Sequence, residues 1–558
     1  MTRYANLAEA LKERALQRPG HDALVHPAGS GTTASGHRLS YAELDARATA
    51  VSAWLRARDA GGRRVLIAMD PGPHTAVALL GCLHAGAVAV PVPAPSDSRT
   101  DAERTAAIAR DASVDLVLTE TAHATETSRR LSLVGRADLT CLAVDGLRPD
   151  GHPQNLRATG QDREPHDPAR TGPDTLALLA YDSGPATAPR GTRLTHGNLL
   201  TAMVALRGAL GTGRHSRIGG WLPRHHTPGL VGQVLHPLWL GATAVTLPVH
   251  PLGADPAAWL RAVSRHGITE TVAPDTLYAR GAAAATEELL AGLDLSRWRT
   301  ALNAGEPVSA VTMATFPRRC APAGLRTGAL VGGYAPAEGA PVLFAAGRRA
   351  AGGADAAVVD PLTSRRLPDG ATGEIWLRGP AVSTGHWGGP PDTAPLFAAR
   401  AAGGAGGFLR TGDLGLAVDG GLRMTGRLRD TLLVDGLTLH PQDVERELLR
   451  RGRPLGSARV FCDGPGTGRL VVVQEVRAAG GARARLPLLA ARIRAGVAEE
   501  FGVTTSALLL VRPGTVRGVG AVKVRRSLLR ERYLRGELRT LHAEFAPGLT
   551  EPAHGGAA

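Results

Sequence analysis

The sequence predicts an α/β protein: a large N-terminal domain of parallel α/β sheets plus a small β-rich subdomain, followed by a smaller α+β C-terminal domain. Three observations support this fold class. Strand and helix patterns alternate over residues 40–119, short strands divided by glycine turns begin at residue 355, and helix–strand units resume after residue 428. We therefore predict an N-terminal domain over 1–428, a C-terminal domain over 429–545 and a flexible tail over 546–558.

The N-terminal region carries the alternation that predicts parallel strands. The first fifteen residues have a polar helical pattern, and Tyr41 to Arg58 place apolar residues at helical spacing. The run RVLIAMD, a helical pattern from Ala76 to Ala85 and the run AVAVPVP make a strand–helix–strand unit, which a helix ending near Ala112 and the run DLVLTE repeat. Because parallel strands need a crossover, this order predicts a mostly parallel sheet with helices on its faces.

The remaining elements follow in chain order. Residues 144–174 are rich in Gly, Pro and Asp without periodicity, which predicts a long surface loop. TLALLAY is then a predicted strand, THGNLL begins a helix, and α/β units continue to about residue 330. AAVVD, GEIWLRG and LRMTGRL are predicted strands of the β-rich subdomain, and the last element is a predicted Arg-rich helix over 525–540.

Composition and charge narrow the function classes. The chain has 558 residues, 43% of them apolar, and a formal charge of +14. Half of this net positive charge lies in residues 511–540, which contain eight arginines and one lysine but only two glutamates. Because no basic run is interleaved with aromatic residues, we predict no nucleic-acid partner. The basic patch suits an acidic protein partner or a phosphorylated ligand, and a solvated helix face is the plain alternative.

The cysteines and apolar segments indicate the compartment. Cys82, Cys141, Cys320 and Cys462 lie far apart in the sequence, which predicts no disulfide framework and a reducing environment. The N-terminus does not have the pattern of a signal peptide. The most apolar stretch, residues 77–93, contains two prolines and is too short to span a bilayer. We therefore expect a cytoplasmic protein without a membrane span.

A glycine-containing loop between a predicted strand and a predicted helix is the first candidate site. It occupies YDSGPATAPRGTRLTHGNLL, residues 181–200. Gly184 and Gly191 let backbone amides approach phosphate oxygens, and the small hydroxyl residues Ser183 and Thr187 add donors. Taken alone, this pattern is weak, and an ordinary Gly/Pro turn is the favoured interpretation.

Further motifs follow this loop in a fixed order. They are WLPRHHTPGLVG (221–232), LNAGEP (302–307), GGYAPAEGA (332–340), FLRTGDLG (408–415), GRLRDTLLVDGLTLHPQDVERE (426–447) and GAVKVRR (520–526). In order and spacing the seven segments resemble the adenylate-forming superfamily of acyl-CoA synthetases, peptide-synthetase adenylation domains and luciferases. The resemblance is closest to the fatty acyl-AMP ligases and covers residues 5–535.

The resemblance implies a two-step reaction. ATP and Mg²⁺ would be the cofactors, and a carboxylic acid, fatty or otherwise apolar, would become an acyl-AMP. The acyl group would then pass to a thiol, either of an acyl-carrier protein, as in polyketide and nonribosomal peptide biosynthesis, or of CoA. Because charge develops on phosphate oxygens, fixed cations and hydrogen-bond donors would supply most of the catalysis.

The resemblance also implies which residues bind the nucleotide. Asp413 in RTGDLG would accept both ribose hydroxyls, and Arg427 would be a second ribose or phosphate contact. Tyr334 would lie against the adenine ring, with Gly305 and Glu306 beside it. The competing interpretations are structural: a turn aspartate, a surface arginine and a core tyrosine.

Catalytic, metal and hinge roles are implied in the same way. Glu338 would bind Mg²⁺ through oxygen, and His226 would lie beside the acyl carboxylate, although the adjacent His225 shows that histidines also occur here by chance. Lys523 would be the mobile catalytic lysine, and Arg429 and Asp430 the hinge about which the C-terminal domain rotates between half-reactions.

Lys523 is unusual in composition as well as position. Lys12 and Lys523 are the only lysines among 64 basic residues, since the chain otherwise uses arginine. A compact ammonium fits between a carboxylate and a phosphate where a broad guanidinium does not. A functional lysine is therefore the interpretation we favour over a chance one.

Several positions depart from the family pattern and keep alternatives open. Pro185 and Ala186 stand where the family usually has serine and threonine, and Arg190 replaces the usual loop lysine. A phosphate loop depleted of donors is also expected of a non-catalytic protein that binds AMP or acyl-AMP. Only 19 residues separate Glu338 from Val358, which leaves no room for the extra segment by which the fatty acyl-AMP ligases are thought to disfavour CoA, so an acyl-CoA ligase is a further alternative.

Overall fold

The protein is described from a computed structural model. It describes residues 4–27, 36–96, 99–133, 135–147, 171–181, 189–220, 227–247, 255–336, 344–345, 355–389, 393–404, 406–418, 420–428, 432–434, 437–450, 455–463, 469–477, 485–516 and 526–547. The chain forms two compact units, Met1–Thr425 and Gly426–Ala558. The predicted loop at 144–174 falls largely outside the described residues.

The first unit has a helix at each of the five places where the sequence pattern predicts one, and further helices elsewhere. Their ends follow local chemistry: Ser40 caps α2 through a reciprocal capping box with Glu43, and α3 begins at Pro73 and ends before the left-handed Gly86. A π-helical turn, Val231–Leu235, joins α7 to α8. The helices are α1 Leu7–Gln17, α2 Tyr41–Arg56, α3 Pro73–Ala85, α4 Arg99–Asp111, α5 Thr121–Leu133, α6 His196–Leu210, α7 Thr227–Leu230, α8 His236–Leu240, α9 Pro256–Arg265, α10 Asp275–Ala284, α11 Glu287–Ala291, α12 Ala310–Cys320 and α13 Ala394–Phe397.

The strands up to residue 427 form three sheets. They are β1 Asp22–His26, β2 His37–Ser40, β3 Arg64–Met69, β4 Val88–Pro93, β5 Leu116–Thr119, β6 Thr140–Ala143, β7 Leu176–Ala180, β8 Thr192–Thr195, β9 Arg217–Gly220, β10 Thr243–Thr246, β11 Glu270–Ala273, β12 Thr300–Asn303, β13 Leu330–Tyr334, β14 Phe344–Ala345, β15 Asp355–Val359, β16 Gly373–Arg378, β17 Leu409–Val418 and β18 Gly421–Arg427.

Two of these sheets are mostly parallel, as the helix–strand alternation predicts. The six-stranded sheet has the order β6-β5-β3-β4-β7-β8 and is antiparallel only at β7–β8. The eight-stranded sheet has the order β14-β13-β12-β11-β9-β10-β1-β2, with antiparallel pairs only at its two ends. The predicted α/β class is confirmed. The carboxyl ends of parallel strands meet at one edge of each sheet, where open α/β sheets bind ligands.

The third sheet is the predicted β-rich subdomain. Its order is β15-β16-β17-β18, and β15, β16 and β17 pair antiparallel. The three runs predicted as strands in this region occupy β15, β16 and β18. The longest strand of this sheet is β17, which carries the RTGDLG motif.

An aromatic cluster packs against strands β11 and β12 of the eight-stranded sheet. Trp259, Tyr278, Trp298 and Phe316 are fully buried and pack with ring centroids 5.1–6.5 Å apart. The Tyr278 hydroxyl donates to the Leu302 carbonyl at 3.1 Å. This contact ties α10 to β12, the strand that leads into the LNAGEP motif.

The second unit is α+β. A ribbon of β19 Leu432–Val434 and β20 Leu437–Leu439 precedes α14 Pro441–Arg450. A four-stranded sheet in chain order follows, made of β21 Leu455–Cys462, β22 Leu470–Val476, β23 Thr505–Val511 and β24 Thr540–Phe545. Its helices are α15 Leu486–Phe501 and α16 Arg526–Leu534.

The prediction of an Arg-rich helix over 525–540 was wrong in its extent. The helix α16 ends at Leu534, and the chain passes Gly536 in a left-handed conformation (φ 66°). Residues 540–545 then pair with β23 as the edge strand β24. The arginines continue past the helix and obscured its end in the sequence, whereas glycine is the residue that permits the left-handed turn.

Among the described residues, no helix combines the length and the apolar character needed to cross a lipid bilayer.

Candidate active site

The candidate phosphate loop is the connection of a β-hairpin. It joins β7 to β8, whose residues Ala180 and Thr192 pair directly. Ser183, Gly184 and Thr187 lie outside the described residues. Arg190 is exposed and lies two residues before β8. The described ends of the loop are therefore adjacent, and the loop leaves and re-enters the sheet at its carboxyl edge.

Gly191 has a packing reason to be glycine. A Cβ atom built there would lie 2.6 Å from Cζ of Tyr181, far inside van der Waals contact. The Tyr181 hydroxyl donates to Asp111 Oδ2 at 2.5 Å. Burial, reinforced by this carboxylate, raises the pKa of Tyr181, so the hydroxyl stays protonated and can keep donating to Asp111. The sequence analysis assigned Gly191 to phosphate approach; the structure adds close contact between the two ends of the loop.

We expect Gly191→Ala to destabilise the protein by about 1–3 kcal/mol, because a methyl group forced against a fixed ring overpacks the site. Thermal unfolding of the purified protein measures this as a lower melting temperature. Gly213→Ala is the matched control, since a Cβ at Gly213 meets nothing within 4 Å. Equal melting temperatures for the two variants would contradict the packing argument.

Tyr334 and Asp413, predicted to bind adenine and ribose, are brought into direct contact. The Tyr334 hydroxyl donates to Asp413 Oδ2 at 2.9 Å. Tyr334 is fully buried at the end of β13, and Asp413 is 4% exposed in β17. This hydrogen bond fixes the carboxylate that the resemblance assigns to the ribose hydroxyls.

Gly305 and Glu306 follow β12 at the same sheet edge as Tyr334. The parallel pairing aligns Asn303 of β12 with Gly332 of β13, so the two chain segments leave the sheet side by side. Gly305 is left-handed (φ 88°), a conformation that favours glycine. Glu306 Oε2 accepts from the Thr276 amide at 3.2 Å. Gly305 and Glu306 thus lie at the sheet edge that also carries Tyr334.

A buried glutamate that the sequence analysis missed holds the RTGDLG segment of β17. Glu374, in β16, is 1% exposed, and its carboxylate accepts from the Arg410 guanidinium at 2.8 Å and from the Gly412 amide at 3.2 Å. It also accepts from Trp376 Nε1 at 2.9 Å. Because Gly412 immediately precedes Asp413, Glu374 is a positioning residue for that aspartate. A charged residue inside the apolar run GEIWLRG was the signal that could have found it.

A second buried carboxylate orders the segment after β12. Asp275 accepts from Asn303 Nδ2 at 2.8 Å, from the Ser309 amide at 2.9 Å and from Thr312 Oγ1 at 3.0 Å. These contacts close the loop that contains Gly305. The signal in the sequence was weak, because an aspartate at the start of a helix also occurs as a simple end residue.

Two more buried glutamates lie in the second unit, at the flanks of residues 517–525. Glu475 Oε1 accepts from the amides of Gly514 and Val516, both at 2.8 Å. Glu445 Oε1 pairs with the Arg526 guanidinium at 2.9 Å. The segment that carries Lys523 therefore begins and ends at fixed points of this unit.

Arg427 ends β18 and belongs to the second unit. His226, Glu338, Arg429, Asp430 and Lys523 lie outside the described residues, so their predicted roles stay predictions.

Known proteins share this architecture. The crystal structure of the fatty acid AMP ligase from Legionella pneumophila matches with a TM-score of 0.69 at 24% identity, over 97% of this chain and 98% of that chain. At this identity the likeness shows the fold, which is that of adenylate-forming enzymes.

The chain belongs to the AMP-binding enzyme family, which matches residues 11–387. Among its relatives is the medium-chain-fatty-acid–[acyl-carrier-protein] ligase JamA of Moorena producens, 30% identical over 90% of each chain. Another is the long-chain-fatty-acid–AMP ligase FadD23 of Mycobacterium tuberculosis, 31% identical over 91% of this chain and 92% of the relative. The predicted membership of the adenylate-forming superfamily is confirmed.

Proposed function

We propose that this protein activates a fatty acid with ATP to an acyl-AMP and transfers the acyl group to the thiol of an acyl-carrier protein. The observation that carries the proposal is the buried Tyr334–Asp413 pair at the sheet edge that also holds Gly305 and Glu306. Both JamA and FadD23 are ligases of fatty acids, which supports the acid class, and JamA is an acyl-carrier-protein ligase, which supports the carrier acceptor. The basic residues of 511–540 suit an acidic carrier protein.

In the first half-reaction the fatty carboxylate attacks the α-phosphorus of ATP. A carboxylate-oxygen–phosphorus bond forms, and the bond from that phosphorus to the pyrophosphate oxygen breaks. Asp413 would accept hydrogen bonds from the ribose hydroxyls, and the hydrogen bond from Tyr334 would hold its carboxylate in position. Lys523 would place its ammonium between the carboxylate and the α-phosphate, reducing the charge repulsion as they approach.

The loop and the metal complete this step in the proposal. Ser183, Thr187 and the backbone at Gly184 and Gly191 would bind phosphate oxygens, with Arg190 adding a positive charge. Glu338 would supply an oxygen ligand to Mg²⁺, the donor type this ion prefers. His226 would lie beside the acyl carboxylate. When bound, the metal would neutralise charge on the leaving pyrophosphate.

In the second half-reaction the carrier thiolate attacks the acyl carbon, a thioester forms and AMP leaves. We propose that residues 1–428 form the nucleotide- and acyl-binding domain, that 429–545 rotate about Arg429 and Asp430 to exchange Lys523 for the thiol, and that 546–558 form a tail. Rotation separates the two reactions in time, so one cleft serves both.

The experiment that tests the proposal is ATP–pyrophosphate exchange over a panel of fatty acids of increasing length. Exchange with at least one acid, followed by loading of an acyl-carrier protein but not of CoA, is the expected result. Exchange with thioester formation only on CoA would assign an acyl-CoA ligase instead. AMP binding without exchange for any acid would assign the non-catalytic alternative, which Pro185 and Ala186 motivate.

Restoring donors to the loop is expected to raise adenylation. Pro185→Ser combined with Ala186→Thr adds two hydroxyls and one amide, and a hydrogen bond to a charged group is worth about 1.5–3 kcal/mol. We expect kcat/KM for ATP to rise about tenfold or more. Initial rates of pyrophosphate exchange at varied ATP measure this.

The control for this repair is Ala188→Thr combined with Pro189→Ser. It introduces the same residue types closer to β8 and should leave the exchange rate near that of the natural sequence. An unchanged rate in the Pro185 and Ala186 variant, or an equal rise in the control, would contradict the role assigned to these two positions.

A further inference from the structure

Four polar side chains lie at the carboxyl edge of the six-stranded sheet, where β3 and β5 end. Asp70 directly follows β3 and Glu120 directly follows β5, and these strands are parallel neighbours. After β3 the chain crosses to β4 on one side, and after β5 it crosses to β6 on the other. This reversal makes a topological switch point, at which open α/β sheets form a crevice.

Two histidines join the carboxylates there, each from the first turn of a helix. His123, in α5, places Nε2 2.8 Å from Asp70 Oδ2. His74, in α3, places Nδ1 2.7 Å from Glu120 Oε1. One ligand atom each from Asp70, Glu120 and His123 lie within 4.8 Å of one another. Within the described ranges this is the only such trio.

We propose that Asp70, Glu120 and His123 bind a divalent transition-metal ion of the Zn²⁺ type, with His74 as a positioning residue. One imidazole and two carboxylates are a donor set that zinc uses, whereas Mg²⁺ prefers oxygen ligands alone. Zinc–ligand bonds of about 2.0–2.2 Å hold ligand atoms about 3–4 Å apart. The Asp70 side chain is 65% exposed, so little packing opposes the adjustment that this spacing would require.

The partial burial of the other groups favours a built site over chance surface pairs. The side chains of Glu120 and His123 are 17% and 22% exposed. His74, outside the trio, is hydrogen-bonded to Glu120, which is how outer-shell groups fix the orientation of a metal ligand. Three protein ligands leave one position open to water, so the bound ion would be exchangeable. The proposal does not depend on the proposed function.

The test is a titration of the full-length, tag-free protein with Co²⁺, followed by its visible d–d absorption, and then with Zn²⁺ to displace the cobalt. We expect one equivalent of Co²⁺ to bind, Zn²⁺ to displace it and excess Mg²⁺ to leave it in place. His123→Ala and Asp70→Asn should abolish the signal. His74→Ala should weaken the affinity about 10- to 100-fold.

His37→Ala is the matched control, because it removes an exposed histidine of β2 and should leave binding unchanged. Melting curves of each variant establish that it is folded. The proposal is overturned if the natural sequence gives no d–d absorption, if the absorption persists in His123→Ala, or if His37→Ala abolishes it. In each of these outcomes the four side chains are simply two hydrogen-bonded pairs.

Discussion

Replacing Lys523 by alanine is expected to lower the rate of acyl-adenylate formation by about 10²–10³-fold, the usual cost of removing one donor aimed at developing charge. The ammonium is proposed to stand between two anionic reactants, so its loss restores their repulsion. Pyrophosphate exchange measures this half-reaction alone. Acyl transfer from a preformed acyl-AMP to the carrier thiol should be nearly unchanged, because the lysine is proposed to have left the cleft by then.

Two further variants sharpen this test. Lys523→Arg keeps the charge but presents a broad, planar group, so we expect adenylation to stay strongly impaired. Arg525→Ala removes a charge two residues away and should leave exchange close to normal. A Lys523→Ala protein that exchanges at the natural rate, or that loses both half-reactions equally, would contradict the assigned role.

Asp413→Asn is expected to raise the KM for ATP by about 10- to 100-fold. The carboxylate is proposed to accept two ribose hydroxyls, and a hydrogen bond to a charged group is worth about 1.5–3 kcal/mol. Asparagine still offers an oxygen to the Tyr334 hydroxyl, so the loss comes from the ligand and not from the core. Initial rates of exchange at varied ATP, with the acid saturating, give the change.

Tyr334→Phe separates positioning from binding. It removes the 2.9 Å hydrogen bond to Asp413 but keeps the ring, so we expect a smaller rise in KM, about fivefold, from the loss of roughly 1 kcal/mol of orientation. An unchanged KM for ATP in Asp413→Asn would contradict ribose binding by the carboxylate. A larger rise in this KM in Tyr334→Phe than in Asp413→Asn would contradict it as well.

The sequence predicted the layers of this fold because each layer has its own local pattern. RVLIAMD, AVAVPVP and DLVLTE are buried parallel strands, and such strands appear as short apolar runs between helices. The error at 525–540 has an equally local cause: α16 ends at Leu534, but arginines continue beyond it and the edge strand β24 lacks a strong alternating pattern.

The site was predicted less completely, because its supports join residues that are far apart in the chain. Glu374 holds Arg410 and Gly412 across 36–38 positions, and Glu445 holds Arg526 across 81. No local periodicity marks such pairs. Motif resemblance identified Tyr334 and Asp413 one at a time, but only the fold places the hydroxyl of one on the carboxylate of the other.

Glu475 holds the chain before residues 517–525 and Glu445 holds the chain after them, and these two anchors limit how far Lys523 can lie from the second unit. Lys523 is three residues from Arg526, so its Cα stays within about 11 Å of the Arg526 Cα however the intervening chain bends. While Arg526 remains paired with Glu445, the Cα of Lys523 therefore stays within this distance of a fixed point of the second unit. In the proposed rotation Lys523 would therefore move mainly with the whole second unit, and a longer linker inserted after Lys523 would uncouple the two movements.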